Sequence, residues 1–361
     1  MSASRADRKA SIEQLKRRQA TEFSNYEETV SLISSFQKWV EYLWGPAEHT
    51  EHIQATLIEF ERRPQCNGLK PDFLASFNTR YRLCGEVMKT FRREAGSEED
   101  LQQLLNYSTY LTRTSAGWTN SDIVLLVVME AADAAALAIQ RASSAAEESG
   151  AGVPIVILGY RRDVRANGEW YVLKWWELPG NSRFSRPNVV YQPEDRDLNH
   201  HLTAQAHCAI PVDLAALSIS SSNPFTNDDP PAIYTAALVV WPAVLSLLTE
   251  DEQDELQAVG RVQKQVSRAS LMSSDLLAGI APRPPEAYIQ KALELLVTSR
   301  CATIARGVEP AEYLVVIDRK HEGWDLVDLI GERAARAELA QLLRRGRRAR
   351  RREQRKQTRL F

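Results

Sequence analysis

The last eighteen residues, Arg344–Phe361, hold nine Arg, one Lys and a single acid, Glu353, a net charge of +9. A segment of that composition cannot bury enough apolar surface to build a core, so the information for folding must lie upstream. The chain as a whole has 45 basic and 47 acidic side chains, which leaves residues 1–343 with 35 and 46, a net of −11. An acidic body that ends in a concentrated cation implies a polyanionic partner.

The body is long enough to fold well. With 361 residues, 44% of them apolar and 25% charged, one large domain or two ordinary ones are expected. Four cysteines (Cys66, Cys84, Cys208, Cys301) are widely spaced, with no Cys-x-x-Cys. That excludes a disulfide framework and a zinc ribbon and points to a reducing compartment. The N-terminus lacks the apolar run of a signal peptide. The two most apolar stretches are poor membrane spans: Ile123–Ile139 carries Glu130 and Asp133, and Ile233–Leu248 is short and contains Pro242. A soluble protein without a transmembrane segment is expected, in the cytoplasm or nucleus of a cell, a virion also being compatible.

Periodicity predicts an α+β fold, predominantly α-helical, with a small antiparallel β region in the middle of the chain. Residues 1–22 read as a polar N-terminal arm or helix, opened by the capping-box spacing of Ser11 and Gln14. Residues 23–150 read as a helical domain. Tyr26, Val30, Ile33, Val40 and Trp44 recur at helical spacing. Further helices are expected over 47–61, 72–93, 98–112 and 121–148, the last buried on most sides. Residues 151–330 read as a mixed domain, with a small sheet in 153–218 and helices in 232–306. Asn167-Gly168 between two β-rich runs signals a hairpin. Thr249 and Glu252 form a capping box, and Tyr313–Ile317 is a strand candidate. Residues 331–361 read as a C-terminal helix running into the Arg-rich tail.

The tail carries the binding chemistry. Guanidinium groups are always charged and pair with phosphate oxygens through a planar fork. Arg344, Arg345, Arg347, Arg348, Arg350, Arg351, Arg352, Arg355, Lys356 and Arg359 have no aromatic residues among them, which favours backbone neutralisation over base stacking. RNA is weakly favoured over DNA, because Arg-rich segments commonly fold on RNA. A nuclear-import address, an anionic-membrane anchor and a clasp on the acidic body compete with this reading. His200, His201, His207 and Cys208, near Glu194, Asp195 and Asp197, match no zinc spacing and read as a polar turn; His49 and His52 read as an exposed helix face.

One stretch points to catalysis. Tyr313–Asp318 followed by Arg319-Lys320, with Glu309 upstream, superficially resembles the (D/E)xK half of restriction-type nuclease sites. The resemblance implies carboxylates that bind Mg²⁺ and a Lys that orients water. Neither phosphate-cradling glycine loop nor a Gly-x-Ser-x-Gly elbow occurs. The leading expectation is therefore a non-enzymatic nucleic-acid-binding structural protein with the layout of coat and nucleocapsid proteins. It needs no cofactor or metal, and it would self-assemble through its acidic body as a homo-oligomer. The alternatives are an Mg²⁺-dependent nuclease-like enzyme using Asp318 and Lys320, with the tail as tether, and an adaptor whose tail is a targeting signal.

Overall fold

The computed structural model describes residues 5–44, 57–64, 66, 68–78, 80–89, 96–113, 120–147, 155–166, 168–176, 208–212, 224–280, 283–305, 311–320 and 323–358. These divide into two compact units. One comprises Thr29–Ala216 with Phe225–Asp228, and the other Met1–Glu28, Leu217–Pro224 and Asp229–Phe361.

The first unit is built on a seven-stranded mixed sheet whose spatial order follows the chain: β1 (Leu57–Arg62), β2 (Phe73–Phe77), β3 (Tyr81–Met88), β4 (Asn120–Val128), β5 (Ile155–Arg165), β6 (Gly168–Trp176) and β7 (Cys208–Pro211). β1, β2 and β3 run antiparallel, as do β5, β6 and β7, while β3, β4 and β5 are parallel. Parallel neighbours need crossovers, and these contain α2 (Gly96–Arg113) and α3 (Ala132–Glu147). The C-terminal half of α1 (Arg5–Trp44) supplies Leu32, Ile33, Phe36 and Val40 to a buried cluster with Phe73, Ala75, Leu83, Val124 and Leu158 on one face. On the other face, Leu104, Tyr107 and Leu111 of α2 and Ala135 and Ile139 of α3 pack against Cys84, Met88, Ile123, Leu125 and Ile157. The result is three layers, helix on sheet on helices.

This architecture corrects the expectation of a predominantly helical protein with a small antiparallel region. The sheet begins at Leu57, inside the stretch read as helical, and it contains parallel pairs. Within 72–93 the described residues form two strands, Phe73–Phe77 and Tyr81–Met88, and not a helix. Burial along β2 alternates, with Phe73, Ala75 and Phe77 buried and Leu74 and Ser76 half-buried, and the chain turns at Arg80, which sits at φ 60°. Residues 121–128 form a central strand instead of a helix. A short uninterrupted run of Ile, Val and Leu is buried on both faces in either element, and here the β-branched residues and the flanking parallel strands favour the strand. The helix begins only after a 3₁₀ turn, Met129–Ala131. The expected hairpin is present: β5 continues to Arg165, which pairs with Gly168 at φ 125°.

The second unit contains the N-terminal half of α1, a helical stretch over residues 232–246, α6 (Glu250–Val259), β8 (Arg261–Ser267), α7 (Arg268–Met272), α8 (Asp275–Ala278), α9 (Glu286–Thr298), β9 (Ala302–Ile304), β10 (Glu312–Asp318) and α10 (Gly323–Thr358). The 232–246 stretch comprises α4 (Ala232–Thr235), a π turn (Ala236–Val240) and α5 (Trp241–Ser246). Pro242 has no N–H to give and crowds the preceding turn, so a widened turn beside it is expected. α6 has the full capping box of Thr249 and Glu252 and ends on Gly260 at φ 77°. The three strands form an antiparallel sheet in the order β8-β10-β9. Lys16 and Arg18 of α1 pair with Asp328 and Glu338 of α10 at 3.4 and 3.1 Å.

Gly85 tests the sheet. A Cβ at this position would fall inside the ring of Phe73. Gly85→Ala should therefore destabilise the protein by about 3 kcal/mol, read as a lower denaturation midpoint in urea with an unchanged slope.

Candidate functional site

The sheet unit brings two carboxylates together. Phe73 of β2 pairs with Gly85 of β3, so Asp72, one residue earlier, stands beside Glu86, one residue later. The Asp72 N–H donates to the Gly85 carbonyl at 2.9 Å, and the Val87 N–H donates to Asp72 Oδ2 at 2.8 Å. Glu86 is held from α2 through both oxygens. Gln103 Nε2 donates to Oε1 and the Tyr107 hydroxyl to Oε2, each at 3.0 Å, and Gln103 also bonds the Tyr107 oxygen. Gln103 and Tyr107 are four residues apart, one turn of one helix face.

A third acid, Asp228, acts on this pair through its charge. It lies in the segment Phe225–Asp228, whose Phe225 and Thr226 are buried and whose Asn227 Nδ2 donates to the carbonyls of Pro64, at 3.3 Å, and Pro71. Arg63 lies over the Phe225 ring at 5.9 Å.

The environment opposes ionisation. Burial, then the charge of Asp228, pushes the Asp72 carboxyl up to about 7, against the opposing hydrogen bond from Val87 and the nearby charge of Arg62. Burial and the charge of Asp72 hold Glu86 well above the usual carboxylate range. Burial, with the charge of Glu86 beside it, raises the Tyr107 phenol too, so it stays a donor. Like-charged carboxyls in a dry setting, with raised proton affinities, are a recurrent mark of functional sites. They can hold a proton between them or, once ionised, a hard cation. Among the described residues no set of three His, Cys, Asp or Glu side chains is arranged to hold a metal ion. Mg²⁺ commonly uses one or two carboxylates and completes its shell with water and substrate phosphate, so two acids suffice for that class of ion.

The sequence did not point to these residues. Asp72 was read as the first residue of a helix, and Glu86 lay in that helix unremarked. Their relation becomes visible only when β2 and β3 pair. The available signals were Pro71-Asp72 ahead of an apolar run and Gly85-Glu86 within another.

The residues singled out from the sequence fare differently. Asp318 ends β10, opposite Arg261, and its Oδ1 accepts the Lys320 N–H at 3.0 Å. It caps its own turn. Glu309, its expected companion, lies outside the described residues, as do His49, His52, His200, His201 and His207. Cys208 begins β7. Trp176 donates to Asp133 at 2.7 Å, with Lys174 over its ring, and Arg165 lies over Trp170.

In the tail, the backbone of α10 is helical through Thr358, and Arg344 is exposed. The helical repeat puts positions 344, 348, 351 and 355 in one row, with 345, 352 and 356 on one flank and 347 on the other. Gly346, Ala349 and Glu353 take the opposite side, with Arg350 between. Arg359 lies outside the described residues. The other medium-length helix of that unit, α9, exposes Glu286, Lys291 and Glu294, a mixed face ill suited to a phosphate backbone. Among the described residues no single helix is long and apolar enough to cross a membrane.

No protein family, no curated protein and no solved structure matches this chain.

The raised acids make a pH prediction with a definite sign. A carboxyl that binds its proton more tightly when folded stabilises the fold while protonated and loses that contribution as pH rises through its folded value. For Asp72 the window runs from about 4 to about 7. Stability should therefore fall across this window in thermal scans. Asp72→Asn should flatten the fall and melt higher than the parent at pH 8.

Proposed function

We propose that this protein acts on nucleic acid, with α10 as its phosphate-binding element and the Asp72–Glu86 pair as the centre of divalent-cation-dependent phosphodiester hydrolysis. The observation that supports the hydrolytic reading is the pair itself: two acids on adjacent strands, Asp72 buried and Glu86 half-buried, the latter fixed through both oxygens by α2. The chemistry is that inferred from the sequence for Asp318 and Lys320, moved to residues whose geometry suits it better. Asp318 spends its carboxylate on a turn.

Asp72 and Glu86 would bind the cation through oxygen, as Mg²⁺ prefers. The bound cation supplies Lewis acidity toward a phosphoryl oxygen and lowers the pKa of water. Binding must displace the protons that burial keeps on the two acids, so it grows tighter as pH rises. Tyr107 and Gln103 keep Glu86 aimed. The Lys of the (D/E)xK pattern would fall two residues after Glu86, where Met88 stands; Lys89 follows it, half-buried at the end of β3. That departure leaves the water-orienting role to Lys89 or to a residue outside the motif.

α10 is the sequence-independent part. Its cations from Arg344 to Lys356 span about 20 Å of helix, enough to follow several consecutive phosphates. RNA is the first polymer to test, since Arg-rich segments commonly bind it.

A second reading has its own support. Both acids already receive protein hydrogen bonds, so the sheet unit can serve as a scaffold, as in a self-assembling packaging protein, with α10 as the whole interaction.

The two readings separate cleanly. Incubated with Mg²⁺ or Mn²⁺ and labelled single-stranded RNA, single-stranded DNA or DNA duplex, the protein should cut at least one of them, faster as pH rises from 6 to 8. Asp72→Asn and Glu86→Gln should each lower the rate at least about 100-fold while leaving affinity unchanged. Binding without cutting under every condition refutes the hydrolytic reading and leaves the packaging one. Truncation after Leu343 should remove most of the salt dependence of binding, which in the parent should amount to a loss of about 10³-fold or more between about 50 and 200 mM salt.

A further inference from the structure

The Asp318-Arg319-Lys320 stretch, set aside as a catalytic element, lies at a distinctive place in the second unit. β8 and β10 are in register from end to end, and Asp318 pairs with Arg261. The Arg319 N–H donates to the Gly260 carbonyl at 3.0 Å, which extends the pairing one step past the strand. Asp318 Oδ1 accepts from the Lys320 N–H at 3.0 Å and closes the turn. Three cationic residues, Arg261, Arg319 and Lys320, are thereby gathered at one end of the three-stranded sheet, and all three are exposed.

Strand pairing sets the three apart by gathering them in one place. Elsewhere in this unit Lys16, Arg18, Lys264, Arg268, Lys291 and Arg336 each sit in an ion pair with a carboxylate, while cations such as Arg17, Arg283 and Arg300 stand singly without one among the described residues. Among the described residues, Arg261, Arg319 and Lys320 have no such partner. Among the described residues, the acid beside them, Asp318, is engaged with the backbone of the turn. The backbone that carries the three is fixed by strand pairing at its root, so little ordering of main chain is required to present them.

We propose that Arg261, Arg319 and Lys320 form a second phosphate-contact patch for a nucleic-acid backbone, separate from the arginines of α10. The proposal rests on the reading of this protein as one that binds nucleic acid, and it adds a contact held on a sheet to the one carried by the terminal helix. The Asp-x-Lys motif then has a structural use: Asp318 shapes the turn that sets Lys320 beside the two arginines. Guanidinium and ammonium groups at such a site recognise phosphate oxygens and read no base.

The test uses the full-length protein, its 1–343 truncation, and the triple variant R261Q/R319Q/K320Q in both backgrounds. Binding to a short DNA duplex and to a single-stranded RNA of equal length is measured over a salt series by fluorescence anisotropy, without divalent cation. Each lost phosphate contact should reduce the slope of log affinity against log salt by about 0.9 on duplex and about 0.7 on single strands. The triple variant should therefore lose about 2 to 3 units of slope on at least one of the two polymers, in both backgrounds. R268Q, whose parent residue is paired with Glu286, should lose no slope. D318N, which deletes a negative charge from the patch, should bind more tightly than the parent. Circular dichroism on every variant checks the fold, and D318N gives a gain that misfolding cannot mimic. Unchanged slope in the triple variant, with tight binding by the parent, overturns the patch and leaves the α10 reading standing. Failure of the full-length parent to bind either polymer at low salt overturns both.

Discussion

The pairing of β2 with β3 is the constraint on which the rest of the sheet unit depends. A period of two residues sends alternate side chains to opposite faces. Phe73 and Leu83 therefore enter the cluster beneath α1, while Cys84 and Met88 enter the one beneath α2 and α3. Phe73 can sit over Gly85 because glycine has no Cβ there. Slippage by one residue would place a side chain under that ring and send every apolar residue of β3 to the wrong layer. The same register sets Asp72 beside Glu86. The acids are thus held by the strongest ordering force available, the apolar packing of the layers around them, and their mutual repulsion is a local cost within a well-buried frame.

How much of this was legible in the sequence depended on the range of the interactions involved. The capping box at Thr249, the hairpin glycine at Gly168 and the strand Glu312–Asp318 are local signals, and the structure contains all three. The apolar run Ile123–Val127 reported burial correctly, since all five residues are fully enclosed, but burial on both faces does not distinguish a central strand from a core helix. β2 and β3 were lost for a different reason. They are short, they are joined by a tight turn through Arg80, and without that turn their combined length reads as one helix. Once the strands were missed, the site was invisible, because Asp72 and Glu86 are neighbours through pairing and not through spacing. The (D/E)xK resemblance at Asp318 shows the converse error. A strand that ends in Asp-x-Lys is also what a turn capped by its own Asp looks like.

The formal charge of −11 for residues 1–343 overstates the repulsion that a polyanion would meet. Burial raises the proton affinity of both Asp72 and Glu86, that of Asp72 to about 7, which trims the negative charge they carry near neutrality, and they lie inside the sheet unit. In the second unit, Asp328 and Glu338 face Lys16 and Arg18, and Glu332 faces Arg336. The acids of the first half of α10 are thereby answered by cations of α1 and by its own next turn. What remains along that helix is a gradient, with Asp325 in the first turn and the arginines gathered at the far end. The order agrees with the helix dipole, which favours acids at the N-terminus and cations at the C-terminus. It also places the cationic positions at the end of the helix away from its buried residues. The basic stretch therefore need not be a disordered appendage to present its charge. As the continuation of a helix rooted among Leu326, Val327, Ile330, Ala334 and Ala335, all buried, it presents a row of cationic positions at a repeat fixed before any partner arrives, and that lowers the entropic cost of meeting a regular row of phosphates.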